Sequence, residues 1–343
     1  MSLELNYEAE VVVDTSNITE EEWLKYRFQG IGGSDAAAVL GISKYKTARD
    51  LYFEKIGRKP DVEENNNWVT LEVGKRLEDL VAQIFANKTG FHIWQEKKML
   101  RHPLFPFMLA DTDYLFETND GMIGILECKT SNVYSKDKWD SGSVPYNYEI
   151  QCRHYMAVKN VDVAYIACLY GNTENDFVYQ RIDRDLDFEE DMIIQQKEFW
   201  NEYVLKQQEP PLQGDGDLVL KSLNKYKNNQ NNIDELIFDS SYIKICEKIL
   251  EMKTEKSIIE KKAREIESKI KTLYAQFIAM LGNGIKGRCI GNDCEYVITY
   301  KPSYRTMINK EALEKMQLND KEIFEKYASV SESRSFQIKK VIK

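Results

Sequence analysis

Two short groups of residues have the chemistry to act: Asp111-Thr112-Asp113 and Glu127-Cys128-Lys129. They sit at the ends of neighbouring strand-like runs joined by the turn Asn119-Asp120-Gly121. Residues two apart on a strand share a face, so Glu127 and Lys129 project together while Cys128 points into the other layer. Pairing of the two runs brings Asp113 towards Glu127. Two carboxylates and the backbone carbonyl of Cys128 make an all-oxygen donor set suited to Mg2+ or Mn2+. A cation there lowers the pKa of an attacking water and neutralises phosphate oxygens, and Lys129 orients that water or helps to deprotonate it. The competing reading is a solvated strand face, because such triples arise by chance among 56 acidic and 47 basic residues. The apolar setting of Ile123, Ile125 and Leu126 speaks against it, since a charged pair on a half-buried strand is costly without a partner or a task.

Two further groups join this set. The acids of a long helical segment, residues 67–89, are Glu72, Glu78 and Asp79. Glu78 is the chosen third metal ligand, and Gly74, four residues before it, allows a close backbone approach. Gln151 opens the segment Gln-Cys-Arg-His-Tyr-Met on the helix after the hairpin, where its amide reaches the attacking water or a phosphate oxygen.

The elements that must hold these residues read as mixed α and β. Thr19 caps a short helix with acids in its first turn. Another helix begins at Ser34, after the turn Gly30-Ile31-Gly32-Gly33. The helix at 67–89 turns Val73, Leu77, Leu80, Val81, Ile84 and Phe85 inwards and stops at Gly90. Strands are predicted at 91–95, 109–118 and 122–129, the last two as a hairpin. A helix at 149–158, strands at 163–170 and 177–182, and a helix at 187–206 complete an α/β unit with a central mixed sheet flanked by helices. Residues 207–216, with Pro210, Pro211, Gly214 and Gly216, form a linker. The domains are therefore 1–212 and 213–343. In the second, residues 242–281 form one long helix whose seam is Tyr242, Ile245, Ile249, Met252, Ile259, Ala263, Ile266, Ile270, Leu273, Phe277 and Met280. Three-four spacing, interrupted only by Lys256, is that of a coiled coil. Gly282 and Gly284 end it, and a small β unit follows at 294–301 and 335–341, with a short helix at 310–316.

Bulk properties narrow the class. Apolar residues are 43% of the 343 and aromatics 11%, enough for a packed core. No apolar run reaches the roughly 18 residues of a membrane span. The acidic N-terminal segment lacks an apolar signal core, so secretion is not expected. The six cysteines are scattered without a CxxC pair and read as free thiols of a reducing cytoplasm. The net charge of −9 is uneven: residues 214–343 carry 24 Lys+Arg against 19 Asp+Glu, a net of +5, and residues 1–213 carry 23 against 37, a net of −14. Carboxylates clustered for metal and a local basic lining for phosphate are both compatible with this balance.

Across residues 20–205 the chain resembles the YqaJ-type viral recombinase nucleases, relatives of phage lambda exonuclease in the PD-(D/E)xK superfamily. The resemblance rests on Trp23-x-x-x-Arg27, Gly30-Ile31-Gly32-Gly33-Ser34-Asp35-Ala36, Gly74–Glu78, Asp113, Glu127-Cys128-Lys129 and Gln151, in that order. It implies a restriction-endonuclease-like core and 5′→3′ digestion of one strand of duplex DNA with two Mg2+ ions, leaving 3′ single-stranded tails. It also implies a ring-shaped homo-oligomer, trimer or tetramer, working on DNA ends with a single-strand annealing protein in a phage-infected or lysogenic bacterial cytoplasm. By position, Arg27 and Ser34 bind the 5′-phosphate, which suits a guanidinium fork and a helix N-terminus. Alternatively, Arg27 caps a carboxylate such as Glu22. Asp111 departs from the family, where a small or hydroxyl residue is usual; it is a helper ligand or faces away. Residues beyond 213 match none of these motifs; they read as an oligomer clamp, a DNA-exit surface, a docking site for the annealing protein, or a helical hairpin packing on its own domain. The rivals are a restriction-type or Cas4-like endonuclease, the latter disfavoured by cysteine spacing, and a non-catalytic DNA-end-binding module.

Overall fold

The computed structural model describes residues 5–61, 68–139, 143–227, 235–291 and 294–302, together with Lys315, Asn319 and Glu322. Capping and turn chemistry set many of its element boundaries. After β1 (Glu10–Asp14), the Thr19 hydroxyl accepts from the Glu22 amide at 3.2 Å and the Glu22 carboxylate accepts from the Thr19 amide at 2.9 Å, starting α1 (Glu20–Arg27). β2 (Ile31–Gly32) runs into α2 (Gly33–Val39), and Thr47 with Asp50 repeats the reciprocal cap at α3 (Ala48–Lys55). α4 (Trp68–Thr89) stops at Gly90, whose φ of 72° is the left-handed conformation a helix end favours. Then come β3 (His92–Trp94), β4 (Lys98–Arg101), β5 (Met108–Ala110), β6 (Tyr114–Glu117) and β7 (Ile123–Thr130). α5 (Tyr146–Lys159), β8 (Val163–Leu169), β9 (Phe177–Asp183) and α6 (Leu186–Glu198) follow, the last continuing as a π-helical turn at Phe199–Val204.

The central sheet has the order β3-β6-β7-β8-β9, antiparallel except for the parallel pair β7 and β8. Helices cover both faces. On one, Val81, Ala82 and Phe85 of α4 pack on Tyr114, Phe116, Leu126 and Cys128. On the other, α2, α3, α5 and α6 close a larger core that includes Ile125, Ile150, Met156 and Ile166. The mixed α/β architecture expected from the sequence is the one observed.

Three local expectations are corrected. The run at 109–118 is two strands in two sheets. β5 belongs to a second sheet, β1-β4-β5-β2, which the sequence did not suggest, and the chain crosses to the central sheet at Asp111–Asp113. Within α4, Val73 and Leu80 are exposed, because the helix turns Val81, Ala82 and Phe85 onto the sheet, with Gly74 close to Thr130, and carries those two at the flank of that face. Residues 207–216 do not end the compact unit, which extends to residue 230. Beyond them α7 (Gly216–Lys225) is tied back by Arg49, whose guanidinium donates to the carbonyls of Ser222 at 2.9 Å and Tyr226 at 3.2 Å.

The second unit, residues 231–343, contains α8 (Tyr242–Leu281), with the predicted bounds. β10 (Lys286–Ile290) and β11 (Glu295–Thr299) then form an antiparallel hairpin. The strand expected near 294–301 is β11, and it pairs with β10, a strand the sequence did not suggest. The predicted strand at 335–341, and the helix at 310–316 apart from Lys315, lie outside the described residues. Among the described residues no helix is long and apolar enough to cross a membrane.

Candidate active site

The register of the hairpin does what the spacing promised. Tyr114 pairs with Leu126, so Asp113, one step beyond the ladder, stands opposite Glu127. Its carboxylate accepts the Cys128 amide at 2.8 Å, closing the end of the ladder with a side chain. Glu127 is buried. Its Oε1 accepts from Lys129 Nζ and, at 2.6 Å, from Gln151 Nε2 on α5, while its Oε2 is buried without a partner. The Cys128 thiol points into the α4 layer. The structure therefore brings Asp113, Glu127, Lys129 and Gln151 together.

Electrostatics mark this as a crowded carboxylate site. Burial and the Glu127 charge push the Asp113 pKa up. Burial raises that of Glu127 against the opposing pull of Lys129. Burial would neutralise Lys129, but Glu127 and Asp113 overcome it and hold the ammonium charged, with its pKa raised. Lys129 also lies 5.2 Å from the Tyr148 ring centroid.

Of the three acids on α4, Glu72 is taken by Arg76 at 2.6 Å, and Asp79 accepts from Tyr114 Oη at 2.9 Å and Gln83 at 2.5 Å. Glu78 has neither kind of partner. Its pKa is pushed up to about 7 by burial and then by Asp113, so it shares the field of the central site. Added to Gly74, a Cβ would lie 3.7 Å from Thr130 Oγ1, so helix and strand run close here.

Arg27 does not cap Glu22, which is occupied by Thr19. Its Nη1 pairs with Asp35 at 2.6 Å and its Nη2 donates to Ser34 Oγ at 2.9 Å. Asp35, which the sequence reading had not singled out, is fully buried and also meets Lys46 at 2.6 Å and Lys55 at 3.1 Å. Burial opposes its ionisation, yet Arg27, Lys46 and Lys55 outweigh that and hold the carboxyl well below the usual range. Lys46 precedes a different helix, α3, and Lys55 is its last residue, so no local spacing announces the cluster. Two glycines let it form. A Cβ on Gly32 would come within 2.0 Å of the Arg27 guanidinium, and one on Gly33 within 2.5 Å of Tyr155 and 2.9 Å of Gln151.

A cavity of about 210 Å3 is lined by Arg27, Ser34, Asp111, Asp113 and Tyr155. Asp111 does not face away: it lines this space and accepts from Trp23 Nε1 at 2.6 Å. Burial raises its pKa. Trp23, Asp111 and Asp113 thus link the opening motif to the hairpin, because β2 pairs with β5, Gly32 opposite Leu109. Tyr155, a further residue that sequence reasoning missed, sits between the two groups and receives Gln151 Nε2 at 3.3 Å.

The donor chemistry at Asp113, Glu127 and Glu78 suits a hard divalent cation, and the unpartnered Glu127 Oε2 leaves a buried acceptor for one. Among the described residues no three His, Cys, Asp or Glu side chains are already drawn into a ligand cluster. Mutual repulsion of the carboxylates is a physical reason for that spacing.

Comparison with known proteins places these features. The model of the YqaJ-like viral recombinase domain matches residues 22–162, the stretch from α1 to just beyond α5. The uncharacterized protein YqaJ of Bacillus subtilis (strain 168) is 33% identical over 335 residues, 97% of this chain and 98% of that protein. Among solved structures, an alkaline exonuclease from Laribacter hongkongensis is 20% identical, with a TM-score of 0.46, over 54% of this chain and 93% of its own. A phage related exonuclease from Haemophilus somnus 129PT is 15% identical, with a TM-score of 0.40, over 54% and 99%.

Proposed function

The chain belongs to the YqaJ family, and on that premise we propose that it is a metal-dependent DNA exonuclease of phage-type recombination. It degrades the 5′-ended strand of duplex ends and leaves 3′ single-stranded tails for an annealing protein. The observation that carries this reading is the single cavity shared by Arg27 and Ser34 at one side and Asp111 and Asp113 at the other. A terminal phosphate held by the first pair sets the next phosphodiester against the second.

Asp113, Glu127, the Cys128 carbonyl and Glu78 would hold one or two Mg2+ or Mn2+ ions, which when bound supply charge neutralisation and a lowered pKa for water. The chain's own groups have distinct tasks. Lys129, whose ammonium is held by Glu127 and Asp113, donates to a phosphate oxygen or orients the attacking water. Gln151, anchored on Glu127, fixes that carboxylate and orients water beside it. Arg27 presents its guanidinium to the 5′-phosphate while Asp35 holds it in place. Asp111, held by Trp23, lines the same cavity and is a helper ligand there.

The test is digestion of linear and closed circular duplex DNA, each strand end-labelled, with Mg2+ or EDTA and with Asp113→Ala as control. Metal-dependent loss of the 5′-ended strand from linear DNA alone supports the reading. Cut circles would make the protein an endonuclease, and binding without cleavage would make it a DNA-end-binding module.

A further inference from the structure

α8 spans forty residues, about 60 Å of helix, and none of them is buried. Ile259, Ile266 and Leu273 on its seam are each more than half exposed. An exposed apolar seam of this length on a helix in water is a contact surface. The seam, like any regular three-four repeat, reads the same in both directions. Its positions fall evenly on both sides of Lys261, so a second copy laid antiparallel in full overlap matches seam to seam. Ile249 then meets the partner's Leu273, Met252 the partner's Ile270, and Ile259 the partner's Ala263.

The charged flanks choose between orientations. With two copies parallel and in register, Lys248 faces the partner's Lys253, Glu255 faces the partner's Glu260, and Lys256 on the seam meets its own copy. Only Lys262 against the partner's Glu267 is favourable. With two copies antiparallel, Glu255 faces the partner's Lys269 and Lys253 faces the partner's Glu267, each twice by symmetry. The unfavourable pairs are Glu260 and Lys262, each against its own copy at the centre. Glu260 is flanked by Lys256 at 3.7 Å and Arg264 at 3.9 Å, which offsets its charge in either orientation; the antiparallel preference rests on the two attractive kinds of pair, Glu255 with Lys269 and Lys253 with Glu267, and on removing Lys256 from its own copy. Lys256 faces the partner's Ile266 and keeps its ammonium beside Glu260 at the rim.

A second observation agrees. Between the C-terminal end of α8 and the hairpin lies an apolar cavity of about 530 Å3, lined by Tyr274, Phe277, Leu281, Val297 and Tyr300 among others. Antiparallel overlap brings the N-terminal end of the partner helix to it. That end carries the exposed aromatic pair Phe238 and Tyr242, 5.1 Å apart. Parallel copies would set two such cavities side by side and fill neither.

We infer that α8 pairs with α8 of a second copy of this chain as a full-length antiparallel coiled coil. Such a contact is two-fold, so it joins chains in pairs and the assembly holds an even number of copies. The test uses the full chain. Light scattering should give an even multiple of the chain mass. Lys253→Glu replaces two attractive pairs by repulsive ones and should weaken association about tenfold. Adding Glu267→Lys should restore it. With Cys289 and Cys294 changed to Ser, spin labels on Cys246 should lie roughly 45 Å apart along the helix axis. A monomer, an odd-numbered assembly, tighter association of Lys253→Glu, or labels within about 20 Å would each overturn the inference.

Discussion

In residues 1–230 charge is drawn inside and answered there, whereas α8 leaves its apolar seam uncovered. Asp35, Lys55 and Glu127 are buried, and each meets oppositely charged or hydrogen-bonding groups from other elements of the same unit. Along α8 the ion pairs are exposed and local, Glu267 with Lys271 and Glu260 with Lys256. Exposed pairs of this kind add little to stability, while buried ones make removal of one partner expensive. The first unit therefore carries its specificity within one chain. The second carries its specificity in what it is set against.

That contrast can be broken or sharpened by substitution. The largest effect should come from Glu127→Gln, which keeps the shape and removes the charge. Cleavage should fall about 10^3-fold or more, equivalent to roughly 4 kcal/mol of lost transition-state stabilisation, while assembly mass is unchanged. A variant retaining a tenth of wild-type cleavage would remove Glu127 from the chemistry. Next is Asp35→Asn, which leaves Arg27, Lys46 and Lys55 without their common counter-charge. Urea unfolding should report a loss of about 3–5 kcal/mol, and a loss under about 1 kcal/mol would show that the cluster is not structurally required.

The third concerns pH. His154 is buried, with Nε2 2.9 Å from the Leu109 carbonyl oxygen, and burial lowers its pKa to about 4. The unfolded chain therefore binds the extra proton first, and this group's contribution to stability is lost as pH falls from about 6.5 to about 4. The raised carboxylates Asp113 and Glu78 act in the opposite sense, because their folded forms bind protons first on acidification. The difference between wild type and His154→Gln cancels the carboxylates. It should shrink by up to about 3 kcal/mol across that window, and a flat difference would contradict a neutral buried imidazole. Smallest is Arg27→Ala, which should lower use of 5′-phosphorylated ends about tenfold to a hundredfold and leave 5′-hydroxyl ends less affected. Equal loss on both would assign Arg27 to holding Asp35 alone.

Much of this was legible in the chain. Thr19 with Glu22, Asp120-Gly121 and Gly90 announced their cap, turn and stop because each is local hydrogen-bond or φ chemistry. The seam of α8 was read with its bounds because period alone defines it. Strand alternation put Glu127 and Lys129 on one face and Cys128 on the other. What failed was non-local. The run at 109–118 carries no mark that its halves belong to different sheets, since each half is apolar and its hydrogen bonds go to distant strands. Likewise Val73 and Leu80 fit the helical stripe, but which line of that stripe is turned onto the sheet depends on how the helix is rotated against it.

The sequence by itself determined the strand geometry that sets Asp113 opposite Glu127 and places Lys129 on the same face, because a turn and a two-residue period suffice for both. Only the tertiary structure decided that Arg27 and Ser34 open onto the same cavity as Asp113, and that Asp35 binds three cations beneath them. Those contacts join α1, α2, α3 and β5, and chain separation hides them until parallel pairing of β2 with β5 draws the elements together.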